Sequence, residues 1–123
     1  MIKSVQFVNF RNLNRKYEFR ERLNIVTGVN NGGKTNLLDG IRLAFSTIDG
    51  SYFRVSKSDF FDSNDSKPIN IYVELEYNSI PSFNYEDENS KQRCGFRVRI
   101  RKTKSGYYVK ELAHYNGTIE TLC

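Results

Sequence analysis

One stretch of this sequence is equipped for chemistry: Gly28-Val29-Asn30-Asn31-Gly32-Gly33-Lys34-Thr35. It fits G-x-x-x-x-G-K-[ST], a loop whose backbone N–H groups cradle phosphates. Gly28 and Gly33 let the backbone turn and approach an anion closely. Lys34 is placed to compensate β- and γ-phosphate charge, and the Thr35 hydroxyl is a ligand for Mg²⁺. The bland alternative is a glycine-rich strand-to-helix turn holding a chance lysine, and only the flanking elements decide between the two.

Those elements are the ones a phosphate loop needs. Leu23 to Thr27 is a short apolar run that reads as a buried strand. Asn36 to Ile48 repeats apolar residues at Leu37, Ile41, Ala44, Phe45 and Ile48, the spacing of one helix face. Strand, glycine-rich turn and helix together aim N–H groups and a helix N-terminus at phosphate. Ahead of them, Ile2 to Phe10 reads as a strand with apolar residues on both faces, Val5 and Phe7 against Ile2, Val8 and Phe10. Asn9 to Asn14 is a polar turn, and Arg15 to Arg20 alternates as a half-exposed second strand.

The rest of the chain changes character. Residues 46–66 read as a polar loop, but Tyr52, Phe53, Phe60 and Phe61 interrupt it, so it should pack on something. Ile69 to Tyr77 is the clearest strand, with Ile71, Val73, Leu75 and Tyr77 on one face and Tyr72, Glu74 and Glu76 on the other. Asn78 to Arg93 reads as a long, mobile hairpin loop. Gly95 to Lys102 alternates Phe96, Val98 and Ile100 with Arg97, Arg99 and Arg101. Tyr107 to Tyr115 is a further strand, and Asn116-Gly117 a type I′ hairpin turn into a short returning strand, Thr118 to Leu122. The fold class is α/β (α+β): residues 1–50 give strands, loop and helix, 51–68 a connecting loop and 69–123 an antiparallel β-meander. That succession differs from the parallel β-α-β order of small kinases and Ras-like GTPases.

Composition sets the bounds. With 123 residues, 38% hydrophobic and 14% aromatic, the chain suits one modest domain. The formal net charge of +5 is compatible with nucleic acid or nucleotide and demonstrates neither. Cys94 and Cys123 have no metal spacing and make no disulfide framework, which favours a reducing compartment. The N-terminus lacks the apolar run of a signal peptide, and no segment approaches a membrane span. A cytoplasmic protein with no membrane partner is the expectation.

The opening strand ending in Asn9-Phe10-Arg11-Asn12, followed by GVNNGGKTNLLDGIRLAF, resembles the N-terminal lobe of ABC-type P-loop ATPases of the OLD, RecF and SMC group. Gly28, Asn30, Gly33, Lys34, Thr35, Asn36, Leu38 and Ile41 sit where that pattern places its residues. The doubled Asn30-Asn31, with the SDFF segment at Ser58 to Phe61 before KPINIYVELEY, looks most like the OLD-family ATP-dependent endonucleases and Gabija-like defence ATPases, where the lobe precedes a Toprim nuclease domain. The resemblance implies ATP and Mg²⁺ as ligands, a site of Arg11, Asn30, Asn31, Gly32, Gly33, Lys34, Thr35 and Asn36 with Thr35 on the metal, and a role in DNA processing or antiviral defence. It covers about the first eighty residues. A Walker B strand ending in Asp-Glu, a signature Ser-Gly pair opening a helix, a switch histidine and a Toprim acidic cluster are not visible. Glu86-Asp87-Glu88 lies in a polar loop, Ser105-Gly106 opens a hairpin, and His114 lies inside a strand pattern as a surface residue. The chain reads as the first lobe of a larger ATPase, truncated or completed by another chain or a second copy of itself, and incomplete for hydrolysis alone.

Four further groups carry two readings each. Arg11 resembles the arginine near the nucleotide in this family and is equally a surface turn residue. Asp39 reads as a helix-surface group before a metal ligand. Asp59 sits where ABC ATPases place a Mg²⁺-sensing loop, yet reads first as a loop cap. Arg97, Arg99 and Arg101 form either a phosphate-tracking stripe for DNA or, more simply, a face paired to Glu74 and Glu76 across the strands. The rivals to an ATP-binding lobe are therefore a truncated interaction module docking a partner ATPase and a DNA-binding domain.

Overall fold

The computed structural model describes residues 2–19 and 31–114. The expected strand at 23–27, the loop residues Gly28, Val29 and Asn30, and the Asn116-Gly117 hairpin with its returning strand lie outside them, as do the side chains of Asn31, Gly32 and Gly33. The described chain forms strands β1 (Ile2–Val8), β2 (Lys16–Glu18), β3 (Ile69–Leu75), β4 (Asn84–Glu86), β5 (Gln92–Lys102) and β6 (Tyr108–His114), with one helix, α1 (Asn31–Asp49).

All the pairings are antiparallel, in the order β2-β1-β3-β5. The eleven residues of β5 exceed what one neighbour covers. One edge takes β3, while the other is shared end to end by β4, at Gln92 to Cys94, and β6, at Phe96 to Lys102.

Alternation decides which face is the core. Val5 opposes Val73 and Phe7 opposes Ile71, while Ile71 opposes Val98 and Ile69 opposes Ile100. These side chains and Phe96 are fully buried on the side that takes Leu37, Leu43 and Ala44 of α1, and Phe45 meets Phe96 edge to face at 5.3 Å. Truncating a buried phenylalanine in such a core costs about 3–5 kcal/mol.

Three sequence expectations are corrected. Phe10 does not continue β1. The strand ends at Val8, Asn9 takes a left-handed φ of 67°, and the chain turns so that Phe10 enters the same core as Phe7, ring centroids 5.8 Å apart. Likewise β3 ends at Leu75, leaving Tyr77 exposed. Residues 78–93 are not one irregular loop. A 3₁₀ turn at Pro81–Phe83 inserts Phe83 against Phe96, and β4 follows at once. The loop at 51–68 behaves as its aromatics suggest only in part: Phe60 is buried and Phe53 packs against the core, but Tyr52 and Phe61 stay exposed.

Gly40 sets how closely α1 lies on the sheet. A Cβ built there would stand 2.3 Å from Cε1 and 2.7 Å from Cζ of Phe7. Phe7 cannot swing away, being fully buried with Phe10 and Tyr17 against its ring. Alanine would contribute about 1 kcal/mol of helix propensity, against about 1–3 kcal/mol for overpacking a filled core. Gly40→Ala is therefore expected to lower the melting temperature by several degrees; an unchanged or raised value in a thermal melt would refute the close approach.

Candidate functional site

The helix begins six residues before its first apolar stripe residue, Leu37. Gly32, Gly33, Lys34 and Thr35 carry no hydrophobic signal, yet α1 starts at Asn31. Lys34 and Thr35 thus belong to the opening turns of α1, where the first four backbone N–H groups have no partner within the helix. No acidic residue occupies that first turn, so no side chain of the turn itself offsets the partial positive charge of the helix end, which suits an anion. The Lys34 side chain is half-buried and that of Thr35 exposed.

One residue further along, the start of α1 is fastened to the rest of the domain. Arg11 Nη1 donates to Asn36 Oδ1 at 2.9 Å and to Asp39 Oδ2 at 2.8 Å. Its Nε donates to Asp59 Oδ1 at 2.9 Å, and Nη2 lies 2.9 Å from the same oxygen. Asn36 Nδ2 in turn donates to Asn12 Oδ1 at 2.8 Å. The guanidinium also lies over the Phe10 ring, 4.9 Å from its centroid. Burial costs this cation hydration, but the hydrogen bonds it donates to Asp39 and Asp59 outweigh the loss and hold its pKa above the ordinary arginine value.

The sheet does not bring Arg11 and Asp59 together; a small local pairing does. Phe10 bridges Phe60, the Arg11 N–H donates to Asp59 O at 2.8 Å, and the Phe61 N–H donates to Asn9 O at 3.1 Å. Asn9-Phe10-Arg11-Asn12 and Ser58 to Phe61, two segments that stood apart in the sequence, are thereby clamped side by side. Asp59 is buried, and its other oxygen, Oδ2, caps the loop by accepting the Ser56 N–H at 2.9 Å. It is a loop cap, as expected, and an ion-pair partner as well. Asp39 faces Arg11 and Arg42 from the helix surface. Beside this network lies an open cavity of about 350 Å³, lined by Arg11, Asn12, Asn36, Phe61 and Ser63 among others. Asn12 and the cavity wall at Phe61 to Ser63 were missed by sequence reading, since only the turn-to-loop pairing places them beside α1.

The arginine stripe does not pair with Glu74 as the simpler reading expects. Glu74 opposes Gly95 and pairs with Arg93, at 2.7 Å, rather than with the stripe. Arg101 is engaged by Glu111 of β6 at 3.1 Å. Arg97 and Arg99 oppose Tyr72 and Asn70, and their buried Nε atoms have no hydrogen-bond partner among the described residues. Asp87, from the acidic cluster, also binds Arg93, which holds its carboxyl below the usual range. His114 sits on the exposed end of β6 against Phe83. Among the described residues there is no group of His, Cys, Asp or Glu able to hold a metal ion.

Comparison with known proteins follows this geometry. The AAA ATPase domain family matches residues 1–122, almost the whole chain. The chain belongs to the AAA ATPase domain family. A solved structure of the recombination mediator protein RecF with ATP superimposes with a TM-score of 0.53 at 23% identity, covering 96% of this chain and 28% of that one. An ATP/GTP phosphatase of Helicobacter pylori (strain ATCC 700392 / 26695) is 50% identical over 42 residues, 33% of this chain and 11% of that protein. This AAA ATPase domain therefore has the P-loop NTPase fold of the RecF-like kind, with an antiparallel sheet beside the P-loop helix. It spans well under a third of the length of either relative. No described helix is long and apolar enough to cross a membrane.

Proposed function

We propose that residues 1–123 form the ATP·Mg²⁺-binding N-terminal lobe of an OLD-family, RecF/SMC-like ATPase acting in DNA processing or anti-phage defence in the cytoplasm. The observation that carries this reading is the opening of α1: Asn31 to Thr35 of the P-loop pattern belong to the helix, with Lys34 and Thr35 in its first turns and no acidic residue in the first turn. Gly32, Gly33 and the loop residues Asn30 and Asn31 supply backbone donors, Lys34 the charge on β- and γ-phosphate, and Thr35 the metal ligand. Arg11 and Asn36 support the cradle from the side. Completion by a further lobe, in cis or from a second copy, is part of the same proposal.

The test is thermal melting of the chain with increasing Mg·ATP. A ligand that binds only the folded state stabilises it by about 2.7 kcal/mol at a hundredfold excess over Kd, so the melting temperature should climb with ligand concentration. A flat response to both Mg·ATP and Mg·GTP would defeat the proposal.

Arg97 and Arg99 favour one rival. With Arg101 engaged by Glu111, Arg97 and Arg99 lie half-buried on the sheet face away from α1, where their charge would attract a nucleic-acid backbone. Duplex DNA in place of nucleotide discriminates: binding without nucleotide, falling steeply with salt, supports the rival.

A further inference from the structure

We propose that Asp59 is a positioning residue for the nucleotide site, acting through Arg11 on the start of α1; this rests on the nucleotide-binding reading above. Asp59 is 48 residues from Arg11 in sequence, and its carboxylate bonds Arg11 and Ser56. Its two oxygens do different work. Oδ2 is committed to the loop through the Ser56 N–H, and Oδ1 holds the Nε edge of Arg11, with Nη2 of the same guanidinium also within 2.9 Å. With that edge fixed, the remaining Nη1 is aimed at α1, where it binds Asn36 and Asp39 on consecutive turns.

Arg11 would not hold this pose unaided. Its backbone is left-handed, φ 51°, which costs a side-chain-bearing residue about 1–2 kcal/mol. That conformation is retained by the Arg11 N–H bond to Asp59 O and by the Phe10–Phe60 bridge. The planar guanidinium transmits the constraint without slack, since fixing one edge fixes the other. Asn36 immediately follows Thr35, so the azimuth of the helix opening, and with it the direction of the Thr35 hydroxyl and the Lys34 ammonium, is set from the loop that carries Asp59. Misplacing such groups by an ångström is enough to weaken them greatly.

The experiment is a calorimetric titration of the 123-residue chain with Mg·ATP in five forms: parent, Lys34→Ala, Asp59→Asn, Arg11→Gln and the Asp59→Asn/Arg11→Gln double variant. Asp59→Asn keeps the shape of the loop cap and removes the charge. It is expected to weaken binding on the order of tenfold, with Arg11→Gln similar and the double variant no worse than either single one. A residue serving only the loop would lower the melting temperature while leaving Mg·ATP affinity at the parental value, or would add its loss to that of Arg11; either result overturns the proposal. If Asp59→Asn does not fold, Arg11→Gln carries the test, because it leaves the Ser56 cap intact, and parental affinity there is equally fatal. Binding by the parent and none by Lys34→Ala shows that the nucleotide reading stands, so parental affinity in Asp59→Asn then removes the positioning role alone. A parent that binds no nucleotide removes both.

Discussion

Lys34→Ala is expected to abolish detectable Mg·ATP binding while leaving the melting temperature of the free chain nearly unchanged. A hydrogen bond to a charged group contributes about 1.5–3 kcal/mol. Lys34 is the cation proposed to meet both the β- and γ-phosphate, so its removal should cost on the order of a hundredfold in affinity or more. The folded state loses little. The side chain is only half-buried, contributes nothing to the buried apolar cluster, and alanine is the best helix former for a helical position. The two expectations are checked together, by calorimetric titration and by melts with and without nucleotide. Equal nucleotide-induced shifts in variant and parent would remove the phosphate-cradle assignment outright.

The second large effect is a missing one: the chain alone should bind Mg·ATP without turning it over. Hydrolysis requires a positioned water as well as charge stabilisation on the transferred phosphoryl group. Lys34, the N–H groups at the start of α1 and a metal on Thr35 supply the second requirement. Two described carboxylates at the start of α1 are already committed, Asp39 and Asp59 to Arg11, with Asp59 also tied to Ser56, while Asp62 is exposed on the cavity wall beside them. Glu86-Asp87-Glu88 belongs to the far end of the sheet, where Asp87 is bound by Arg93. Steady-state phosphate release is the measurement, with Lys34→Ala beside it. Multiple turnovers that vanish in the variant would show that the site is complete, with Asp59 the first carboxylate to replace.

How much was legible in the sequence depends on how local each feature is. β3 and β5 are written in alternating apolar residues, and the body of α1 in its apolar stripe, so their existence and inward faces follow from the chain itself; β1 is apolar on both faces, and β6 sets Lys110 and His114 opposite Ile100 and Phe96, so those two were legible as strands without an inward face. The start of α1 was read too late because glycine, lysine and threonine carry no periodicity. Residues 78–93 were read as a loose loop because Ile80 and Phe83 are isolated apolar residues in a polar stretch, and the value of Phe83 lies in reaching Phe96. The arginine stripe was judged from strand alternation, which fixes the face but not the partner. The register puts Glu74 opposite Gly95 and Glu111 opposite Arg99, and no local signal contains that. Arg11 was visible through its motif, whereas its tie to Asp59 spans 48 residues and depends on one isolated bridge.

The contact between Gly40 and Phe7 limits how this domain can respond to a ligand. Sliding α1 along its own axis by one turn, about 5.4 Å, would carry Leu37 or Ala44, which share the buried face with Gly40, toward the place that only glycine now fills above the Phe7 ring. Sliding of the helix over the sheet is therefore blocked in both directions. Phe7 belongs to β1, which pairs with β3 over most of its length. A pull exerted on the phosphate end of α1 is thus handed to the strands without loss, and the helix and sheet must swing as one rigid lever about whatever they are joined to.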